Sequence, residues 1–306
     1  MARKDRIDAL GATALVVFSG LLGFNQALIK LVNAGFAPAL QAGLRSLIAL
    51  VPVLIYALLT RKRISLGRGG FWPGIACGVF FCIEFILLFV ALDLTSVARA
   101  SIFFYSMPVW VALGAHVLIP GERLTRAKLM GLALAVGGVT LALSSNAAPA
   151  TEKALLGDLL CLLAAVAWAG IALVARATPL SEATPEAQLL IQLAVSAPVL
   201  IGVAFLTGDT VRAPEPLHVG ILAFQSLGIV ACGYLVWFRI LAIYPASDMA
   251  SFGFLAPVFG VFFGWLIFDE PLTLRLLAAL ALVGLGIVLV NRKPRRAGLA
   301  APGVRG

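Results

Sequence analysis

Charge is scarce in this sequence. Only 12% of its 306 residues are Asp, Glu, Lys or Arg, against about a quarter in a soluble globular chain. Hydrophobic residues make up 61%, and mean hydropathy is +1.05. So few polar side chains cannot coat a water-facing surface, so most of the exterior must meet lipid, and length priors for soluble domains do not apply. Histidine is scarcer still: His116 and His218 are the 2 present. No paired-aspartate motif accompanies them, which counts against an integral-membrane enzyme acting on lipid. The 4 cysteines, Cys77, Cys82, Cys161 and Cys232, sit in apolar segments without metal-ligand spacing and read as small hydrophobes. A P-loop is missing, so the chain cannot be driven by its own ATP hydrolysis. No metal or cofactor is expected.

What the chain does have is apolar runs of roughly 17–25 residues, the length that crosses a bilayer as helix. Ten are read, near 8–30, 36–60, 71–92, 97–118, 126–144, 155–177, 187–206, 216–240, 248–267 and 273–291. Open strands would leave backbone groups unpaired in hydrocarbon, so the expected class is all-α integral membrane. MARKDRIDAL lacks a small-residue cleavage site after its apolar stretch and is expected to enter the first helix rather than to be removed. The loops are too short for a separate soluble domain. Thr184-Pro185-Glu186, Thr125 and Thr273 read as helix starts. The tail, 295–306, reads as disordered and basic.

With ten helices both termini share a side. Placing them inside puts 17 Lys and Arg there and 5 outside, with Arg45 in the membrane to complete the 23. That bias orients the termini to the cytoplasm. It also accounts for the net charge of +9 without nucleic acid, since the basic faces meet cytoplasm and anionic lipid.

The chain is also written twice. PVLI at 52–55 returns at 198–201, and at the same offset of 146 Gly11 meets Gly157, Leu44 meets Leu190 and Lys30 meets Arg176. Pro108 and Pro257, each followed by valine, match at 149, while LIPGERLT (118–125) meets LIFDEPLT (266–273) and Gly138 meets Gly286 at 148. Five helices per half is an odd number, so the second copy (149–294) enters the membrane from the opposite side to the first (1–148). Inverted repeats suit alternating access, in which two halves rock about a site at their interface near the midplane. A receptor or an enzyme has no such need for them.

ALDLTSVARASIFFYSMPVWVALGAHVLIPGERLT, followed by GLALAVGGVTL, resembles the ten-helix EamA-like exporters of the drug/metabolite transporter superfamily. LGFNQALIK at 22–30 is similar to that family's first-helix pattern, with Leu22 where a tryptophan is usual; the second half keeps it as Trp168 in WAGIALVAR. Arg45 in LRSLIAL matches an arginine common in the second helix. The resemblance covers about residues 8–291. It implies export of small organic metabolites across the inner membrane. Amino acids, aromatic ones among them, are the leading substrate class and broad-specificity drug efflux is the second. Facilitated exit and proton exchange are both open, as is a monomeric or homodimeric state.

Glu84 stands alone in FFCIEFILL. An isolated acid at the bilayer centre costs about 2.5–3.5 kcal/mol or more, and intramembrane ionisable groups usually face the bundle interior. At about 1.5 Å per residue, Arg45 and Glu84 lie at one depth on antiparallel neighbours, roughly 12–14 Å down. Three readings are open: a static ion pair, a zwitterion site, and a proton-coupling carboxyl. Helical spacing places Ser101, Tyr105, Pro108, Ala112 and His116 on one face; Ser19, Gly23, Gln26 and Lys30 on another; and Gln41, Arg45 and Pro52 on a third. Gln192 and Gln225 add single amides, and Trp168 and Trp237 could stack on a substrate. Small and polar residues also simply pack membrane helices, but together these stripes favour a wet cavity between helices one to four and six to nine. Helices five and ten are left as scaffold. Glu122 and Glu270 read as loop-fixing or capping groups, and Arg239 and Asp248 as flanks of a turn that could close a gate. Pro108 and Pro257 each remove a helix hydrogen bond, which predicts bending at corresponding heights.

Overall fold

The computed structural model describes residues 7–61, 64–120, 122, 124–143, 152–244, 249 and 252–291. They are helical, with no strand among the described residues beyond an isolated bridge between Phe36 and Val211. In chain order the helices are α1 (Ala9–Asn33), α2 (Pro38–Leu59), α3 (Phe71–Leu94), α4 (Val97–Phe104), α5 (Met107–Leu118), α6 (Arg126–Leu143) and α7 (Glu152–Ala177). A 3-10 turn, Pro179–Glu182, leads into α8 (Pro185–Thr207). Then come α9 (Pro216–Phe224), a π-helix (Gln225–Cys232), α10 (Gly233–Ile243), α11 (Leu255–Phe268) and α12 (Leu274–Asn291). Among the described residues, 7 segments are long and apolar enough to cross a membrane, counting α4 and α5 as one; Pro216–Cys232, Leu255–Phe268 and Leu274–Val290 are shorter apolar helices.

The start signals act as read. Thr184 Oγ1 accepts from the Ala187 N–H at 3.4 Å, Thr125 Oγ1 from Lys128 at 3.3 Å, and Thr273 Oγ1 from Leu276 at 3.2 Å. Each satisfies a donor that a helix start would otherwise leave orphaned. Asp8 caps α1 through the Gly11 N–H (2.9 Å), and Gly208, at φ 72°, ends α8 in the left-handed region that glycine enters without strain.

Two expected single helices are interrupted. The fourth apolar run breaks at Tyr105–Ser106, and Pro108 sits at the start of α5. There its missing N–H would have had no partner anyway. Pro257 likewise lies in the first turn of α11. Neither proline is in mid-helix, so the expected loss of a central hydrogen bond is corrected to a break just ahead of each ring. Pro52 and Pro198, interior to α2 and α8, are the prolines that interrupt a continuous helix. The eighth run departs too: eight residues, Gln225–Cys232, are wound as π-helix, a form that recurs at functional sites.

Helices meet through small residues, as lipid-embedded helices do when dispersion and close backbone approach replace hydrophobic drive. α6 packs chiefly on α12, α2 on α8, α3 on α7, and α11 on both α1 and α4. At the α1–α11 crossing, a Cβ on Gly23 would fall 2.6 Å from the Gly260 backbone nitrogen. Gly23→Ala therefore has to spread two backbones. It should destabilise the fold by about 1–3 kcal/mol, read as a lowered unfolding midpoint in detergent. Gly137→Ala is the control, because nothing lies within 4 Å of a Cβ there, and it should leave the midpoint unchanged or raise it.

Candidate functional site

One cavity of about 580 Å³ is walled by α1, α3, α5, α7, the π-helix and α10, with Arg45 reaching in from α2. That volume falls within the roughly 300–1,000 Å³ usual for small-molecule sites. It runs from buried Ile29 and Leu88 to Glu122, Lys128 and Arg176, where Arg176 is half exposed and paired with Glu122. That end is the mouth. Its walls are mainly apolar and aromatic, with Phe18, Phe85, Phe104, Trp168 and Trp237 among them. Trp237 stacks on Phe18 at 4.9 Å between ring centroids.

Two charged groups face this space from deep burial. Arg45 is 5% exposed and Glu84 4%, and both line the cavity. They lie in each other's field, yet no ion pair between them is formed among the described residues. The guanidinium instead lies over two rings, 4.4 Å from the Phe85 centroid and 5.0 Å from Phe89, and Nη1 donates to Asn25 Oδ1 at 3.4 Å. Rings of this kind attract a cation through their quadrupole. Arg45 Nε and Glu84 Oε2 have no hydrogen-bond partner among the described residues. Unpartnered buried polar atoms cost about 1–3 kcal/mol each, more when charged. A cation and a carboxylate with spare hydrogen-bonding capacity, in a chamber otherwise lined with rings, complement a small molecule that carries both charges and an apolar body.

An amide chain stands behind them. Gln41 Nε2 donates to Gln225 Oε1 (3.3 Å), and Gln225 Nε2 donates to Asn25 Oδ1 (3.3 Å), the oxygen that also serves Arg45. The chain thus ties α2, the π-helix and α1 to the orientation of the guanidinium. Ser101 Oγ donates to Gln26 Oε1 at 2.7 Å, joining α4 to α1.

The opposite end is closed by a different chemistry. Arg99, 3% exposed, is ion-paired with fully buried Asp158 and donates from Nε to its Oδ1 at 3.2 Å. Thr95 Oγ1 donates to the same Asp158 oxygen at 2.8 Å, and Lys30 Nζ donates to the Thr95 carbonyl at 2.6 Å. The Glu270 carboxylate accepts from the backbone N–H groups of Val97 (2.7 Å) and Ala98 (2.8 Å), capping α4 from the α11–α12 connection. Over this lies the α8–α9 loop. Its Arg212 donates to the Asn33 carbonyl (2.9 Å), to Asp93 (2.7 Å) and to Asp209 (3.2 Å). Partial burial works to lower the Arg212 pKa, but the bonds to Asp93 and Asp209 outweigh it and hold the group above its ordinary value.

Of the residues singled out by sequence, Gln26, Arg45, Glu84, Tyr105, Pro108, Trp168 and Trp237 line the cavity. Gln41, Gln225 and Ser101 lie one layer behind, through the bonds just described. Gln192 is buried on α8 away from the cavity wall, and Pro257 sits beside lining Ala256. The Arg239 side chain and Asp248 lie outside the described residues. Sequence reasoning passed over Asn25 and Tyr234, because neither falls on the polar stripes, and it counted Arg99 only among the basic residues on the outer side. Asp158, inside the apolar run of α7, carried the same signal as Glu84 and was not used.

Comparison with known proteins adds four findings. A model described as the EamA-like transporter family matches residues 9–144 and again 155–292. The chain is 29% identical to a protein of Escherichia coli (strain K12) named as a probable amino-acid metabolite efflux pump, over 97% of this chain and 98% of that one. It is also 29% identical to the uncharacterized transporter YvbV of Bacillus subtilis (strain 168), over 92% of each. A solved crystal structure aligns with a TM-score of 0.65 at 21% identity, covering 92% of this chain and 95% of that one, a likeness of fold alone.

Proposed function

Because this chain belongs to the EamA-like transporter family, and is thus a multi-pass membrane protein of a metabolite-exporting kind, we propose that its cavity carries amino acids out of the cell. The observation that carries this reading is the pairing of Arg45 and Glu84 in one apolar chamber, apart from each other and each with an unfilled hydrogen-bonding atom. An amino acid fills both: its carboxylate meets Arg45, its ammonium meets Glu84, and its side chain lies among the rings. The name of the Escherichia coli relative agrees with that class.

Alternating access of two inverted five-helix repeats is the mechanism. It is supported by the family model matching twice, with starts 155 − 9 = 146 apart and ends 292 − 144 = 148 apart, the offsets at which the sequence repeats itself. The mouth carries Lys128 and Arg176 on the side where basic residues accumulate, so in this reading it opens to the cytoplasm of a plasma-membrane protein with both termini inside.

Counterflow tests the reading. Purified protein in liposomes preloaded with an unlabelled amino acid should accumulate the same labelled amino acid transiently, with and without an imposed pH gradient. Absence of counterflow for every amino acid, with uptake of an apolar organic cation instead, would move the function to broad-specificity efflux. Dependence on the pH gradient separates proton exchange from facilitated exit.

A further inference from the structure

The charged groups of the two ends of this molecule are in opposite states. In the cavity, Arg45 Nε and Glu84 Oε2 are buried without a hydrogen-bond partner among the described residues. At the sealed end, Thr95, Arg99, Asp158 and Glu270 are buried as well and Lys30 partly so, and their side chains are taken up by one another and by backbone. The first arrangement waits for a ligand; the second has no room for one. We propose that this closed network is the latch that shuts the outer end of the pathway, and that it must come apart for cargo to leave. The proposal rests on the transporter reading above and names the part of the machine that gates it.

Three features carry it. First, the network joins α1, the α3–α4 corner, α7 and the α11–α12 connection, so both halves of the chain hold it. Second, its strongest grip is on a short helix. Glu270 holds the first two amides of α4, eight residues long and broken from α5 at Tyr105–Ser106. α4 can therefore tilt without bending α5. Charge-assisted bonds of this kind depend steeply on alignment, so a small tilt releases them together. Third, the sequence repeat matches Glu270 to Glu122 (270 − 148) and Lys30 to Arg176 (30 + 146). At the mouth those counterparts pair with each other and are partly exposed. The same two positions thus hold a helix terminus shut at the sealed end and stand open at the other, as two gates that alternate would.

Cys161 is a native reporter. It is fully buried on α7 within the field of Asp158 and Lys30. In a background with Cys77, Cys82 and Cys232 replaced by alanine, a membrane-impermeant maleimide is applied from the sealed side or the mouth side. Glu270→Gln removes the carboxylate charge. Thr95→Val removes only the bond to Asp158 and guards against a Glu270 variant that fails to fold. Each should raise Cys161 labelling from the sealed side by about tenfold, the worth of one charged hydrogen bond. A second reporter, Leu88→Cys with Cys161→Ala, lies in the cavity wall. Its labelling should rise from the sealed side and fall from the mouth side. If neither reporter responds, or if Cys161 alone does, the network is local packing and the latch is refuted. A side switch at Leu88→Cys in a protein that moves no amino acid would leave the latch standing and remove the substrate class instead.

Discussion

Asp158→Ala is expected to cost the protein about 3–5 kcal/mol, the usual loss when one partner of a buried ion pair is deleted. Asp158 is fully buried and faces Arg99 at 3% exposure, so the deletion takes the paired carboxylate from a guanidinium that is itself buried. It also removes the acceptor of the Thr95 hydroxyl. The cost comes from keeping a buried cation without its carboxylate more than from the lost attraction, which makes a second prediction of opposite sign. Arg99→Met combined with Asp158→Val takes out both charges at similar total volume and should recover most of the stability, since well-packed apolar pairs often match buried ion pairs. Unfolding midpoints in one detergent, for the single and the double variant, check both. A single variant as stable as the parent would show that water reaches Arg99 and that this end is not sealed.

The contrast between Asp158 and Glu84 shows how much the sequence discloses. Each is an acid set inside an apolar run, and the cost of an isolated charge in hydrocarbon says only that a partner exists. Helical rise set Arg45 and Glu84 at one depth, and the structure has both facing one cavity. Depth does not fix azimuth, however. The guanidinium turned onto Phe85 and Phe89 rather than onto the carboxylate, a choice between cation–π contact and ion pairing that spacing cannot make. The partner of Asp158 was harder to see. Arg99 lies 59 residues away in sequence, next to a connection that reads as exposed.

The helix pattern was legible because apolar length and capping chemistry are local. Thr125, Thr184 and Thr273 cap the helices that they precede. What escaped was also local in position but tertiary in cause. Nothing in QSLGIVAC marks a π-helix; it opens at Gln225, whose amide bonds to both Gln41 and Asn25. Pro108 announced a disturbance in the fourth run but not its form, because a proline ring is accommodated at a helix start as readily as it breaks a middle. Glu270 read as a loop-fixing or capping group from its place in a short connection. That the amides it caps belong to α4, from the other half of the chain, could come only from the packing.

The second large effect concerns the cavity charges. If cargo bridges Arg45 and Glu84, the two side chains recognise different ends of it, and their variants must differ in what they stop transporting. Glu84→Gln should raise the counterflow KM of an amino acid by about 10–100-fold, the worth of one to two charged hydrogen bonds, while a 2-hydroxy acid of the same side chain, which lacks the ammonium, is affected far less. Arg45→Gln should do the reverse, penalising the amino acid while sparing the corresponding decarboxylated amine. The amide chain from Gln41 through Gln225 to Asn25 orients the guanidinium, so Gln225→Leu should follow the Arg45 pattern in milder form. A mere folding role for either charge predicts something else: equal losses for all three substrates, reversed when Glu84→Gln and Arg45→Gln are combined. Only a crossed pattern, amine spared by one change and hydroxy acid by the other, fits a site that reads both ends of a zwitterion.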